Sequence, residues 1–154
     1  MELNHARLKT RGSSKADLTI RTDDFNFEGN ERSKVKLDLL CDTAAITLND
    51  NGKLDGLINS PELRMDLYQR GNATIEGHGE KLLLKGNDYS QFDGKDYTVK
   101  TCDVVCEISS DATIDTTESI TIEASGTSSI YLYNNPIITI NRFTDTTKLQ
   151  KKVK

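Results

Sequence analysis

Residues 111–150 read DATIDTTESITIEASGTSSIYLYNNPIITINRFTDTTKLQ, and the order of branched, small and polar residues in them decides the fold. Ile120-Thr121-Ile122, Ile130-Tyr131-Leu132 and Ile138-Thr139-Ile140 alternate apolar and polar residues with a period of two, the pattern of strands buried on one face. Between them stand corners such as Ser125-Gly126-Thr127-Ser128-Ser129, whose residues tolerate positive φ or close turns with their hydroxyls. Aligning Ala112-Thr113-Ile114, Ser129-Ile130-Tyr131 and Thr147-Lys148-Leu149 gives a repeat of roughly 17 residues with two strands in each, and such self-similarity is what a solenoid produces. The reading is a stack of coils whose backbone bonds run from one coil to the next.

The same signals extend upstream. Leu18-Thr19-Ile20, Phe25-Asn26-Phe27, Val35-Lys36-Leu37-Asp38-Leu39, Ile46-Thr47-Leu48 and Leu63-Arg64-Met65-Asp66-Leu67 alternate in the same way. From residue 75 on, strand centres fall near 75, 83, 91, 98, 105, 114, 122, 131 and 139, steps of roughly seven to nine residues. Polar clusters at Gly12-Ser13-Ser14, Gly71-Asn72-Ala73, Ser109-Ser110-Asp111 and Thr144-Asp145-Thr146-Thr147 supply further corners. No window keeps a helical apolar stripe for three turns; LDGLINSPEL comes nearest, and its Gly56 and Pro61 oppose a helix. The rival all-β architecture is a sandwich of antiparallel hairpins, which needs tight two-residue turns throughout. Only Asn51-Gly52, within ITLNDNGKLDG, is a strong dipeptide of that kind, so one hairpin inserted into an irregular N-terminal part is expected there.

Composition agrees. The chain has 154 residues, 35% hydrophobic and 29% charged, with two prolines. Thr, Ile, Ser, Asn and Asp are abundant, which favours strands and turns over helices and, with the apolar residues patterned, over disorder. One domain spanning 1–154 is the expectation. A net charge of -4 and a pI near 5.2 argue against nucleic acid as a partner. No run of about 18 apolar residues exists to span a membrane, and MELNHARLKTRG lacks the apolar core of a secretory signal, so an export signal is expected to lie outside this chain.

The residues able to carry chemistry form no constellation. Cys41, Cys102 and Cys106 are an odd set; alternation turns Cys102, Val104, Cys106 and Ile108 to the interior, and two cysteines four apart on a strand stand about 13 Å apart, too far to bridge. They read as buried thiols packing like small apolar groups, the alternatives being a bridge from Cys41 or a reactive thiol. His5 and His78 lack ligand spacing to one another or to a cysteine, so no metal or cofactor is expected. Asn49–Gly56 superficially resembles a calcium loop, but placing Gly52 sixth puts Thr47 first and Ile58 twelfth, where carboxylates belong; a solvated hairpin tip is the simpler reading. Asp23-Asp24 and Glu76 with Glu80 are pairs that a glycosidase could use, yet such pairs arise by chance among 24 acidic residues. Tyr131 and Tyr133 should project outward, either to stack on a sugar or simply to cover neighbouring coils. Lys148, Lys151, Lys152 and Lys154 read as charges that block end-to-end pairing, with contact to an anionic surface as the alternative.

The run TIEASGTSSIYLYNNPIITINRFTDTTKLQKK, residues 121–152, resembles the C-terminal signature of the GIN-domain family of auto-transporter adhesin heads. The shared pattern is a strand at Ile120 to Ala124, a small-residue corner at Ser125 to Ser129, a strand ending in an aromatic at Ile130 to Tyr133, a turn before Pro136, and a polar corner leading to Lys152. GSSKADLTI, Ser60-Pro61-Glu62-Leu63 and Gly71-Asn72-Ala73-Thr74-Ile75 fit its earlier section. The corners at Asp111-Ala112 and Thr144-Asp145-Thr146 lack the glycine. The resemblance implies a right-handed parallel β-helix of the Bacteroidetes type, exported to the bacterial cell envelope or surface, with no catalytic residues. This chain would be the C-terminal part of a longer exported protein.

The expected function is a non-enzymatic surface module, adhesin-like, whose ligand is a glycan or a protein. Two rivals stand beside it: a β-helical scaffold that polymerises through its terminal coils, and a polysaccharide-acting enzyme. No ligand-binding residue is assigned from sequence.

Overall fold

The computed structural model describes residues 2–153, with side chains from residue 4 onward. The described residues form no helix. Their strands are β1 (Glu2–Thr10), β2 (Lys15–Gly29), β3 (Lys34–Leu40), β4 (Thr43–Leu48), β5 (Lys53–Asn59), β6 (Glu62–Leu67) and β7 (Asn72–His78). There follow β8 (Lys81–Gly86), β9 (Gln91–Cys106), β10 (Asp111–Ala124), β11 (Ser129–Tyr133), β12 (Ile137–Phe143) and β13 (Lys148–Lys151). Every strand pairing is parallel. The result is a β-solenoid of about eight turns.

Each turn contributes one strand segment to each of two ladders. The first ladder runs from residues 15–21 of β2 through β3, β5 and β7 to the N-terminal halves of β9 and β10, then β11 and β13. The second runs from β1 through the C-terminal half of β2, then β4, β6 and β8, to the C-terminal halves of β9 and β10, ending at β12. β2, β9 and β10 pass from one ladder to the other without losing strand geometry, because two successive residues at the bend, such as Asp23 and Asp24, both point outward and advance the alternation by one. Centres expected separately near 91, 98 and 105 are therefore one bent strand, β9.

The repeat is 19 residues through Lys15, Lys34, Lys53, Asn72 and Gln91, 20 from Gln91 to Asp111 and 18 from Asp111 to Ser129. Ala112 shares a column with Ile130 and Leu149, so the expected alignment is one residue out of phase at Ser129 and two at Thr147. Thr147 closes a corner, as Ser128 does, whereas Ala112 is already in a strand; matching unlike positions shortened the period.

The corner between second and first ladder has four residues in each coil. Its second residue has positive φ in every coil: Gly12, Glu31, Asp50, Gln69, Asp88, Ile108, Gly126 and Asp145. In four coils the third does too, at Asn51, Arg70, Tyr89 and Ser109. At Asn49–Gly52 the Gly52 amide bonds to the Asn49 carbonyl at 3.0 Å, which with positive φ at both central residues is a type I′ turn. That turn usually makes hairpins, but the hairpin expected at Asn51-Gly52 does not exist. β4 pairs with β2 and β6, while β5 pairs with β3 and β7; the turn reverses the chain across the core, onto the other ladder. Nor is the N-terminal part irregular, since β1 bonds in parallel register to β2 from the first described coil. Where the fourth corner residue is Ser or Thr, its hydroxyl often closes the turn instead, as from Ser110 to Glu107 at 2.9 Å and from Ser128 to Ser125 at 2.8 Å. Ser110 and Ser128 are buried, and the bond is what makes burial of a hydroxyl tolerable.

Inside, apolar residues stack in columns. One column runs Leu8, Phe27, Ile46, Met65, Leu84, Val104, Ile122 and Ile140. Another alternates in size through Leu54, Ala73, Phe92, Ala112 and Ile130, so each small residue makes room for a ring or branched chain in the next coil. Each fully buried Leu or Ile contributes about 1.5–3 kcal/mol. The register slips between Thr74 and Glu76 of β7, where β9 carries one extra residue and Tyr97 turns inward. Tyr97 stands opposite Gly77, and its buried hydroxyl finds no hydrogen-bond partner.

Candidate binding surface

Parallel register fixes how outward side chains are distributed, because a residue one coil on lies about 4.8 Å away in the same column. On the second ladder, charges in neighbouring coils oppose one another. Lys9 pairs with Glu28 at 3.5 Å and His5 with Asp24 at 2.8 Å; Glu62 stands against Lys81, and Asp66 against Lys85. The Asp24 carboxyl is held below its usual value chiefly by the Thr43 hydroxyl, with His5 adding to this and desolvation opposing it. Such columns are self-neutralising.

The first ladder differs. Lys15, Lys34 and Lys53 occupy successive coils of one column, all exposed. Among the described residues no carboxylate lies within ion-pair distance of any of them. Like charges directly across a ladder are unfavourable, by up to about 1 kcal/mol per neighbouring pair in water. The next column outward alternates Asp17, Lys36 and Asp55 and is balanced by contrast. Beyond Lys53 the lysine column continues with Asn72 and Gln91, joined at 3.4 Å by an amide hydrogen bond. It reaches Asp111, whose carboxyl is raised by desolvation against a bond from the Ser129 backbone. These residues line shallow depressions rather than a cleft.

The other residues singled out in the sequence sit apart from this face. Cys41, Cys102 and Cys106 are free and buried; burial raises all three thiols, that of Cys106 to about 12. Ile108, expected inside with Cys102 and Cys106, is 52% exposed on a corner, because the positive φ there ends the strand's alternation. Since the thiolate is the reactive form, Ellman's reagent is expected to leave all three cysteines untouched in the folded chain and to titrate three thiols in denaturant; rapid reaction without denaturant would return the reactive-thiol alternative. Glu80 faces Lys100 at 3.9 Å, while Glu76 lies on β7 and Asp24 is committed to His5 and Thr43. His78 ends β7, far along the chain from His5 on β1.

Tyr131 and Tyr133 do lie on the outer face, half-buried. Lys152 sits over the first ring at 5.1 Å and Lys95 over the second at 5.9 Å, which favours the covering role over sugar stacking. Lys148, Lys151 and Lys152 follow on the last coil, while Lys154 lies outside the described residues. They leave β12 uncovered, and Ile138, Ile140 and Phe143 are 42%, 49% and 39% exposed although they continue interior columns. Sequence reasoning missed the buried Asp115, which accepts hydrogen bonds from Thr98 at 2.9 Å and from Asn134. It ties the 134 turn to the bend of β9.

Residues 28–136 match the model of the family described as "Putative auto-transporter adhesin, head GIN domain". Neither a search of curated proteins nor one of solved structures finds a match.

Proposed function

The chain belongs to the GIN-domain family of auto-transporter adhesin heads, and we propose that it is a non-enzymatic module of the cell surface that binds a glycan or a protein through the outer face of its first ladder. The observation that supports this reading most is the column Lys15, Lys34 and Lys53 on a parallel stack, without an ion-pair partner among the described residues. Charges arranged at a structural cost suggest a partner that neutralises them. No helix among the described residues is long and apolar enough to cross a membrane.

The immobilised chain is expected to retain at least one member of arrays of bacterial and host glycans and extracellular proteins. Retention of none would overturn the reading, and new reducing ends after incubation with polysaccharides would replace it with the enzymatic one. A second reading, self-association, is favoured by the uncovered Ile138, Ile140 and Phe143, since an open strand edge with apolar side chains is a template for pairing. Filaments in sedimentation across a concentration series would establish it, and a concentration-independent monomer would exclude it.

A further inference from the structure

We propose that the column Lys15, Lys34 and Lys53 binds a linear anionic polysaccharide lying along the solenoid axis, its uronate or sulfate groups meeting successive ammonium groups. The inference rests on the chain being a surface-binding module and names its ligand class. Three features of the face carry it.

The first is charge. In a chain of net charge -4, three cations stand in one column without ion-pair partners among the described residues, and the adjoining corners carry exposed Arg11 and Arg32 together with Glu31 and Asp50. On the second ladder the register sets opposite signs together at Lys9 and Glu28 and at Asp66 and Lys85, whereas on the first Glu76 stands against Asp96. An anionic ligand relieves the repulsion among the lysines, whereas a neutral one leaves it in place.

The second is direction. The column keeps one register because every coil from Lys15 to Gln91 has the same length, with a rise of about 4.8 Å. A polymer along this line presents recurring acidic groups to recurring lysines, so individually weak contacts act together. Asn72 and Gln91 continue the line with amides, which donate to and accept from sugar hydroxyls.

The third separates a glycan from a nucleic acid. Asp17, Asp38 and Asp55 lie beside the lysines on the same face, and a densely charged phosphodiester would be forced against them. The outward positions of residues 15–21, 34–40, 53–59 and 72–78 hold no Phe, Tyr or Trp, and His78, at the end of β7, is the one ring among them on which a base could stack. A sugar chain with more widely separated acidic groups is compatible with both facts.

The test uses the full chain, with polygalacturonate, dextran sulfate, neutral dextran and a single-stranded oligonucleotide as immobilised probes. The variants are K15Q/K34Q/K53Q and, on the other ladder, K9Q/K81Q/K85Q, both checked for native circular dichroism. The unsubstituted chain should bind polygalacturonate, dextran sulfate or both, which tells uronate from sulfate recognition. At low salt, affinity should fall about tenfold or more in the first variant and less than about twofold in the second, with the salt dependence reduced only in the first. No binding to either anionic glycan, equal losses in the two variants, or tighter binding to the oligonucleotide would overturn the inference. Retention of neutral dextran or of an arrayed protein, unchanged in K15Q/K34Q/K53Q, would also overturn it while leaving the surface-binding reading intact.

Discussion

Replacing Gly77 with alanine is expected to cost at least about 3 kcal/mol and to melt the central coils first. Gly77 has φ 119, a conformation closed to other L residues, and an added Cβ would stand 2.1 Å from the carbonyl oxygen of Ile58 and 2.9 Å from its carbonyl carbon. Neither atom can retreat, because Ile58 belongs to β5, the strand to which Gly77 is bonded. The neighbouring coil places Tyr97 opposite Gly77, so the glycine cannot relax the other way either. Gly12→Ala is the control. It too has positive φ, at 64, but the nearest atom to its added Cβ is a glutamate oxygen 3.8 Å away, and the equivalent corner position is filled by Glu31, Asp50, Gln69 and Asp88 in other coils. Its cost should stay within about 1 kcal/mol. Urea denaturation followed by circular dichroism separates the two, and equal effects would show that backbone conformation alone, not the clash with Ile58, limits position 77.

Phe27→Ala is expected to lower stability by about 3–5 kcal/mol, and Phe27→Leu by much less. Phe27 is 1% exposed, stacks on Phe25 with centroids 6.4 Å apart, and lies between Leu8 and Ile46 in its column. Removing the ring opens a void that neither coil can fill, because each is held in register by its own ladder bonds. A solenoid's coils contact chiefly their neighbours, so the loss should be centred on β1, β2 and β4. Hydrogen exchange should show those strands opening before β8 to β10; uniform loss of protection would mean that the stack unfolds as a single unit.

Much of this architecture was legible in the residues. Alternation located the strands, and the small polar clusters located the corners, since both signals are local. The features that depend on the coil length were not legible. With a repeat of roughly 17 residues instead of 19, Lys15, Lys34 and Lys53 fall in different columns, and the cationic stripe disappears into a generally charged surface. Their recurrence at a fixed spacing is the signal that could have found them. Asn51-Gly52 misled for a different reason. A type I′ turn states only that the chain reverses; whether the outgoing strand bonds to the incoming one depends on coils that are distant in sequence. Ile108 continued an alternation that the backbone had already left. Asp115 gave no local signal, because its partners Thr98 and Asn134 lie one coil away on either side.

The even 19-residue spacing of the corners from Gly12 to Asp88 also makes the length of this molecule adjustable. The Lys53 amide donates to the Ser33 carbonyl as the Lys34 amide donates to the Ser14 carbonyl, so excising residues 34–52 would join Ser33 to a residue already in the right column. Duplicating that segment would add one rung of about 4.8 Å. Genetic gain or loss of single 19-codon units could thus set how far such a head reaches without redesigning its interior.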